Sequence, residues 1–381
     1  MTDALTRRDF TRSVAAITGS SLFAGTPCPS NLSRFPRRWT GYADAMVVDC
    51  LASPGPFNVP ARTAAPLTAD MIQNARRSGI TAVNVTVNAS GAGHASFDNT
   101  VRELGYWERE LAEHPTVLTK IRSITDLADA KRTDRLGLIY GFQDAAMLEG
   151  DIDRLAIFFN LGVRVIQLTY NQRNQLGDGC LEPGNAGLSR FGRDVVAAMN
   201  DQGILVDVSH CGQQTTADAI AHSSRPIAIT HSGCRAVYEH PRSKRDEELR
   251  MMAEKGGVIG IYMMPFLNAE GPAHAEHLIQ HIEHAVQVCG ENHVGVGSDN
   301  SITPTIANED YLTTLNRFAS ERQRLGIGAP REFEVLFVTD LNHPRRMEML
   351  ADLLLGRGYS ETRVEKIIGG NFARLFAEVW T

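Results

Sequence analysis

The stretch Ile204-Leu205-Val206-Asp207-Val208-Ser209-His210, followed by Pro226-Ile227-Ala228-Ile229-Thr230-His231, decides how this chain is read. Each run opens apolar and β-branched, and each closes on a hydroxyl and an imidazole. A short, nearly continuous apolar run is what a strand covered on both faces looks like. Working outward, the same unit recurs at 46–50, 81–88, 136–142, 163–169, 257–263 and 293–299. A polar loop and a helical stretch follow each run. Strands alternating with helices predict a parallel sheet. Eight of them predict closure into a (β/α)8 barrel of the TIM type. The open, doubly wound alternative is disfavoured because no GxGxxG follows the first strand. The 381 residues fit one such barrel, since α/β barrels exceed 250 residues as single domains.

In a barrel the strand C-termini converge on one face, so the residues ending each run are the site candidates. They are Gln143-Asp144 on the third strand, Tyr170-Asn171 on the fourth, Ser209-His210 on the fifth, His231 on the sixth and Asp299 on the eighth. Two histidines on adjacent strands and an aspartate on the last form a donor set suited to zinc. A metal there lowers the pKa of water and polarises a carbonyl.

Composition narrows the function classes. Net charge is −6 and no basic run extends beyond the N-terminus, which excludes nucleic acid as an expected partner. The six cysteines are scattered without a CxxC, so neither a zinc ribbon nor a disulfide scaffold is expected. Residues 1–25 read as a twin-arginine signal peptide: Arg7-Arg8-Asp9-Phe10 precedes a weakly apolar stretch at 13–25. That stretch is too short and polar to span a bilayer. The twin-arginine export machinery is therefore an expected partner, and a periplasmic or secreted location is expected. Residues 26–44 read as an irregular lead-in, and 45–381 as the barrel. An insertion at about 303–345, with Pro304, Pro330 and Pro344, is expected to act as a lid or to build a homodimer.

Four stretches together resemble the membrane (renal) dipeptidase family of the metal-dependent amidohydrolase superfamily. They are Gly187-Leu188-Ser189-Arg190-Phe191-Gly192 running on to Ser209-His210; Thr230-His231-Ser232 with His240-Pro241-Arg242; Gly256-Gly257-Val258-Ile259-Gly260 with Gly297-Ser298-Asp299; and Gly358-Tyr359-Ser360 with Gly369-Gly370-Asn371-Phe372. The resemblance covers most of 45–381. It implies a metallo-dependent hydrolase architecture and hydrolysis of a dipeptide or related small amide. It implies His210 and His231 as ligands of one zinc ion, Arg242 as the holder of a substrate carboxylate, and Asp299 as the proton handler. A guanidinium fork suits a planar carboxylate.

The chain departs from the family at four positions. The family's His-x-Asp pair after the first strand falls on Leu51 and Ser53. Its metal-bridging glutamate falls on Gln143, and its histidine after the fourth strand falls on Tyr170. The first metal site is therefore expected to be lost. One zinc at His210 and His231 remains expected, completed by Gln143, Asp144 or Asp299 and water, with Tyr170 and Asn171 facing substrate. Two further readings stand beside hydrolysis of a dipeptide: a single-metal enzyme with another substrate, and an inactive barrel that binds a small ligand or partner. Cys50 and Cys211 read as buried packing, and Ser209 as strand-end hydrogen bonding. His94 lies on a flexible loop. His274, His277, His281 and His284 share helical spacing and read as a polar face of the outer ring.

Overall fold

The computed structural model describes residues 38–55, 64–88 and 96–380. The expected leader, most of the lead-in and His94 lie outside them. Eight parallel strands form the barrel: β1 (Val48–Asp49), β2 (Ala82–Thr86), β3 (Leu136–Phe142), β4 (Val163–Gln167), β5 (Leu205–Asp207), β6 (Ala228–Ser232), β7 (Val258–Ile261) and β8 (Val294–Val296). Each pairs with the next in chain order. Seven fall inside the runs read from sequence, and β6 overruns its run of 226–231 by one residue, Ser232. Two features were not anticipated. A short strand, Leu118–Lys120, pairs with the first half of β3 on the edge whose second half takes β4. A parallel two-stranded ribbon, Ala52–Ser53 with Asn300–Ser301, extends the closure.

The circle closes between β8 and β1. Cys50 N–H donates to Val296 O at 2.9 Å, and Asp299 N–H to Leu51 O at 2.8 Å. The buried Asp49 accepts from Ser298 N–H at 2.7 Å, and Arg346 bridges Asp49 (3.1 Å) and Ser298 Oγ (2.9 Å). Pairing and multiple hydrogen bonds are what a buried charge needs to be tolerated.

One apolar cluster fills the N-terminal end of the barrel. Val48, Ala82, Ile139, Val165, Leu205, Ala228 and Val258 meet Phe372, Leu375 and Phe376 of helix Asn371–Val379. On β8 the matching residue is Gly295, where an added Cβ would lie 2.6 Å from the Phe372 ring. A larger cluster lies between the strands and the helical ring. Trp39 and Tyr42 belong to it, so the end of the lead-in is ordered: Thr40–Ala43 forms a 3-10 turn, and Trp39 N–H donates to Asp352 Oδ1 at 2.6 Å. Helix Arg190–Gln202 shows how local sequence sets boundaries. Ser189 Oγ caps it by accepting from Gly192 N–H at 2.9 Å, and Gly203 ends it at φ +70.

Candidate active site

His210 and His231, the last polar residues of their runs, meet at the barrel mouth with Nε2 atoms 2.9 Å apart. Their partners fix the tautomers. Asn171 donates its amide N–H to Ile327 O at 3.0 Å, so its Oδ1 faces His210 Nδ1 at 2.7 Å as an acceptor. His210 Nδ1 therefore carries the hydrogen. Asp207 accepts from Ser209 N–H (2.9 Å), Ser209 Oγ (2.5 Å), Thr230 N–H (3.0 Å) and Thr230 Oγ1 (2.6 Å). The single Thr230 hydroxyl hydrogen is spent on Asp207, so Thr230 Oγ1 accepts from His231 Nδ1 at 2.8 Å. Burial, and after it the Arg242 charge, hold both imidazoles well below their usual range and keep them neutral. Two Nε2 lone pairs thus converge at the mouth, a donor pair that would hold a divalent cation. A metal ligand whose other nitrogen donates to a fixed acceptor is the usual support for such a site.

The glycines behind the pair permit this geometry. A Cβ on Gly260 or Gly297 would lie 2.1 or 1.9 Å from the Thr230 carbonyl oxygen, so strand β6 can lie this close to β7 and β8 only because both are glycine.

Arg242 is buried, and its guanidinium ties both histidine strands together. It donates to Ser209 O at 2.6 Å and His231 O at 3.3 Å. Among the described residues it makes no salt bridge to a carboxylate, although its fork has five N–H groups. Its loop is held by His240, which stacks on Phe266 at 4.6 Å and faces Pro330 O at 3.0 Å.

Asp299 turns the chain at φ +59, a left-handed conformation that non-glycine residues adopt sparingly. Burial pushes its carboxyl up to about 7, Arg242 pulls it down and Asp49 pushes it up. Tyr170 stacks on His210 with ring centroids 4.2 Å apart, and the Arg322 guanidinium lies 5.8 Å from the Tyr170 ring. Arg322 is itself gripped by Glu332 at 2.7 and 2.9 Å. The insertion therefore reaches the mouth through Arg322, Ile327 and Pro330.

Gln143 and Asp144 are held by neighbours of their own. Gln143 donates its amide to Thr86 Oγ1 at 2.7 Å, and Asp144 Oδ1 accepts from Ala146 N–H and Asn174 Nδ2, both at 2.9 Å. Among the described residues no group of three His, Cys, Asp or Glu side chains is placed to share a metal. Neither Asp144 nor Asp299 is thus gathered with the histidine pair into such a group. Leu51 and Ser53 do sit at the rim of β1, Leu51 by its bond to Asp299 and Ser53 O by accepting from Ile302 N–H at 2.7 Å. Cys50 packs inside the barrel, and Cys211 Sγ accepts from Thr169 Oγ1 at 3.3 Å. The histidine stripe needs a correction. His281 is fully buried, accepting from Cys234 N–H at 2.8 Å and facing Leu267 O at 3.0 Å, so it pins the segment after His231 rather than forming part of a polar face.

Sequence reading quoted Asp207, Thr230 and His240 within the strand-end and family stretches without giving them a role, and missed Arg322. An aspartate interrupting the apolar run before His210 was the available signal for the first. The other three declare themselves only through contacts across the fold.

Fold and site define an amidohydrolase-type barrel with a histidine pair at its mouth. Residues 61–318 match the family described as membrane dipeptidase (peptidase family M19), and the chain belongs to that family. It is a metal-dependent, dipeptidase-like hydrolase. The match begins beyond β1, after Leu51 and Ser53. Dipeptidase verJ of Clonostachys rogersoniana is 26% identical over 296 residues, covering 76% of this chain and 73% of that protein. Dipeptidase tcpJ of Claviceps purpurea is 27% identical over 290 residues, covering 75% and 61%. The crystal structure of an amidohydrolase from Pseudomonas aeruginosa superposes with a TM-score of 0.76 at 29% identity, over 89% of this chain and 98% of that one. A metallo peptidase from Rhodobacter sphaeroides, liganded with a phosphinate mimic of L-Ala-D-Ala, shares the fold at a TM-score of 0.71 and 17% identity, over 88% and 99%. Among the described residues no helix is long and apolar enough to cross a membrane.

Proposed function

We propose that the protein hydrolyses a small amide carrying a carboxylate, a dipeptide or close relative, using one zinc ion held by His210 and His231. The observation that carries this reading is the pair of converging Nε2 lone pairs, 2.9 Å apart, beside a buried arginine without a carboxylate partner. A divalent cation there supplies Lewis acidity toward water and the amide carbonyl. Arg242 grips the substrate carboxylate with its remaining N–H groups. Asp299, poised at about 7, takes a proton from the attacking water and passes it to the leaving nitrogen. Tyr170, stacked on His210, walls the site against solvent. A twin-arginine leader would carry the folded protein out of the cytoplasm.

The small ligand set favours a second reading, a barrel that binds its ligand without turnover. Metal content decides between them. Mass spectrometry of the purified protein is expected to find about one zinc per chain, lost in His210→Ala and in His231→Ala while circular dichroism is unchanged. A folded protein that takes up no zinc would select the binding reading.

A further inference from the structure

The charged groups of the mouth are not spread around the rim. His210, His231, Arg242, Asp299 and Arg322 all stand after β5 to β8. The rims after β1 to β4 carry Leu51, Ser53, Thr86, Asn88, Gln143 and Thr169, which are neutral and buried or nearly so. The exceptions among the described residues are Asp144, engaged by Ala146 N–H and the Asn174 amide, and, in the segment after β4, Asp178, paired with Arg173 and bonded by Ala186 N–H, and Glu182, bonded by Arg173 N–H. The stretches 56–63 and 89–95, outside the described residues, contain neither Asp nor Glu. Leu51 belongs to neither apolar core. Asp299 lies under the charge of Arg242 and Arg322.

An amide docked with its carboxylate on Arg242 and its carbonyl at the histidine pair sends its acyl half toward the β1–β4 rim. A primary ammonium placed there would lose its water shell without gaining an anion, which is costly. An uncharged acyl group, part apolar and part hydrogen-bonding, meets Leu51 and the amides and hydroxyls beside it without that loss. We infer that the substrate is an N-acylated amino acid rather than a dipeptide with a free amino terminus, an inference that rests on the hydrolase reading above. In the reaction the oxygen of water bonds to the acyl carbon and the C–N bond breaks. The leaving nitrogen takes a proton, and a carboxylic acid and an amino acid are released.

The test compares alanyl-alanine with propionyl-alanine, which differs only in lacking the ammonium, in each stereoisomer and with zinc-loaded enzyme. Release of alanine is followed by mass spectrometry. Propionyl-alanine is expected to show a kcat/KM higher by at least about tenfold, the weight of one buried charge left without its partner. Equal rates, or a preference for alanyl-alanine, overturn the inference. If neither compound is cleaved, the hydrolase reading fails, and calorimetric binding of the same pair judges the inference separately. Tighter binding of propionyl-alanine upholds it; equal binding, weaker binding or none overturns it. Gln143→Glu, which returns an anion to the neutral rim, is expected to shift the ratio toward alanyl-alanine by about tenfold. An unmoved ratio counts against the inference.

Discussion

The two halves of the barrel mouth are built from the same strand-and-loop unit and do different chemistry. On the β5–β8 side, both imidazoles and Arg242 are backed by partners that fix their orientation. Asp207 holds Thr230, Thr230 holds His231, and Asn171 holds His210. On the β1–β4 side, amides and hydroxyls bond one another, as Gln143 does with Thr86 and Asn88. The difference teaches that a reacting centre needs supports more than it needs ligands in number. The charged half keeps its supports, whereas the neutral half has exchanged ligands for surface that can be shaped to a substrate.

Three substitutions put that contrast at risk. Asp299→Asn is expected to lower kcat by about 10²–10⁴-fold with little change in KM, the range for losing a proton carrier. The same variant tests the pH dependence of stability. A carboxyl whose folded pKa is raised to about 7 binds its proton more tightly in the folded state. Its contribution to stability is fully present below the unfolded value near 4 and is lost as pH rises through 7. In chelator-treated protein, Asn at this position should therefore raise the melting temperature at pH 8, and the advantage should vanish at pH 4. A constant difference across that range would remove Asp299 from the role given it. Thr230→Val breaks the relay behind His231 without touching the imidazole, and zinc affinity should fall by about 10–100-fold by competition with a chelating dye. The smallest effect belongs to the neutral half. Gln143→Met should leave zinc content unchanged and lower kcat/KM by less than about tenfold, because the amide makes ordinary neutral hydrogen bonds. Loss of zinc in that variant would erase the distinction between the halves.

Much of this was legible in the chain. Runs of buried strand residues announce themselves because both faces of a parallel barrel are apolar. All eight strands coincide with the predicted runs, β6 overrunning its own by one residue, and the polar residues at the run ends mark the mouth. His210, His231 and Asp299 follow from that rule, and Arg242 from the family pattern. What stayed hidden depends on contacts between residues distant in sequence. Leu118–Lys120 is three residues long and shares an edge with β4, too little to register as a run. Arg322 looks like any charged residue on helix Glu309–Arg324 until the helix is laid over Tyr170. His281 shares a spacing with three more accessible histidines, and only the packed structure separates it from them. The neutrality of the β1–β4 rim was written in Leu51, Ser53 and Gln143. Its extent around the rim appears only when the strands are set side by side.

The latch of Asp49 to Ser298 and Arg346, with Phe372 seated beneath it, also orders events during synthesis. Strand β1 leaves the ribosome early, yet one of its edges waits for a partner nearly 250 residues downstream, and the floor of the barrel waits for the closing helix. Until then the nascent chain has an unpaired sheet edge, the kind of surface on which aggregation starts. The last few dozen residues thus act as a completion signal, and a ribosome that stalls short of them releases a chain with every site residue translated and no barrel to hold them.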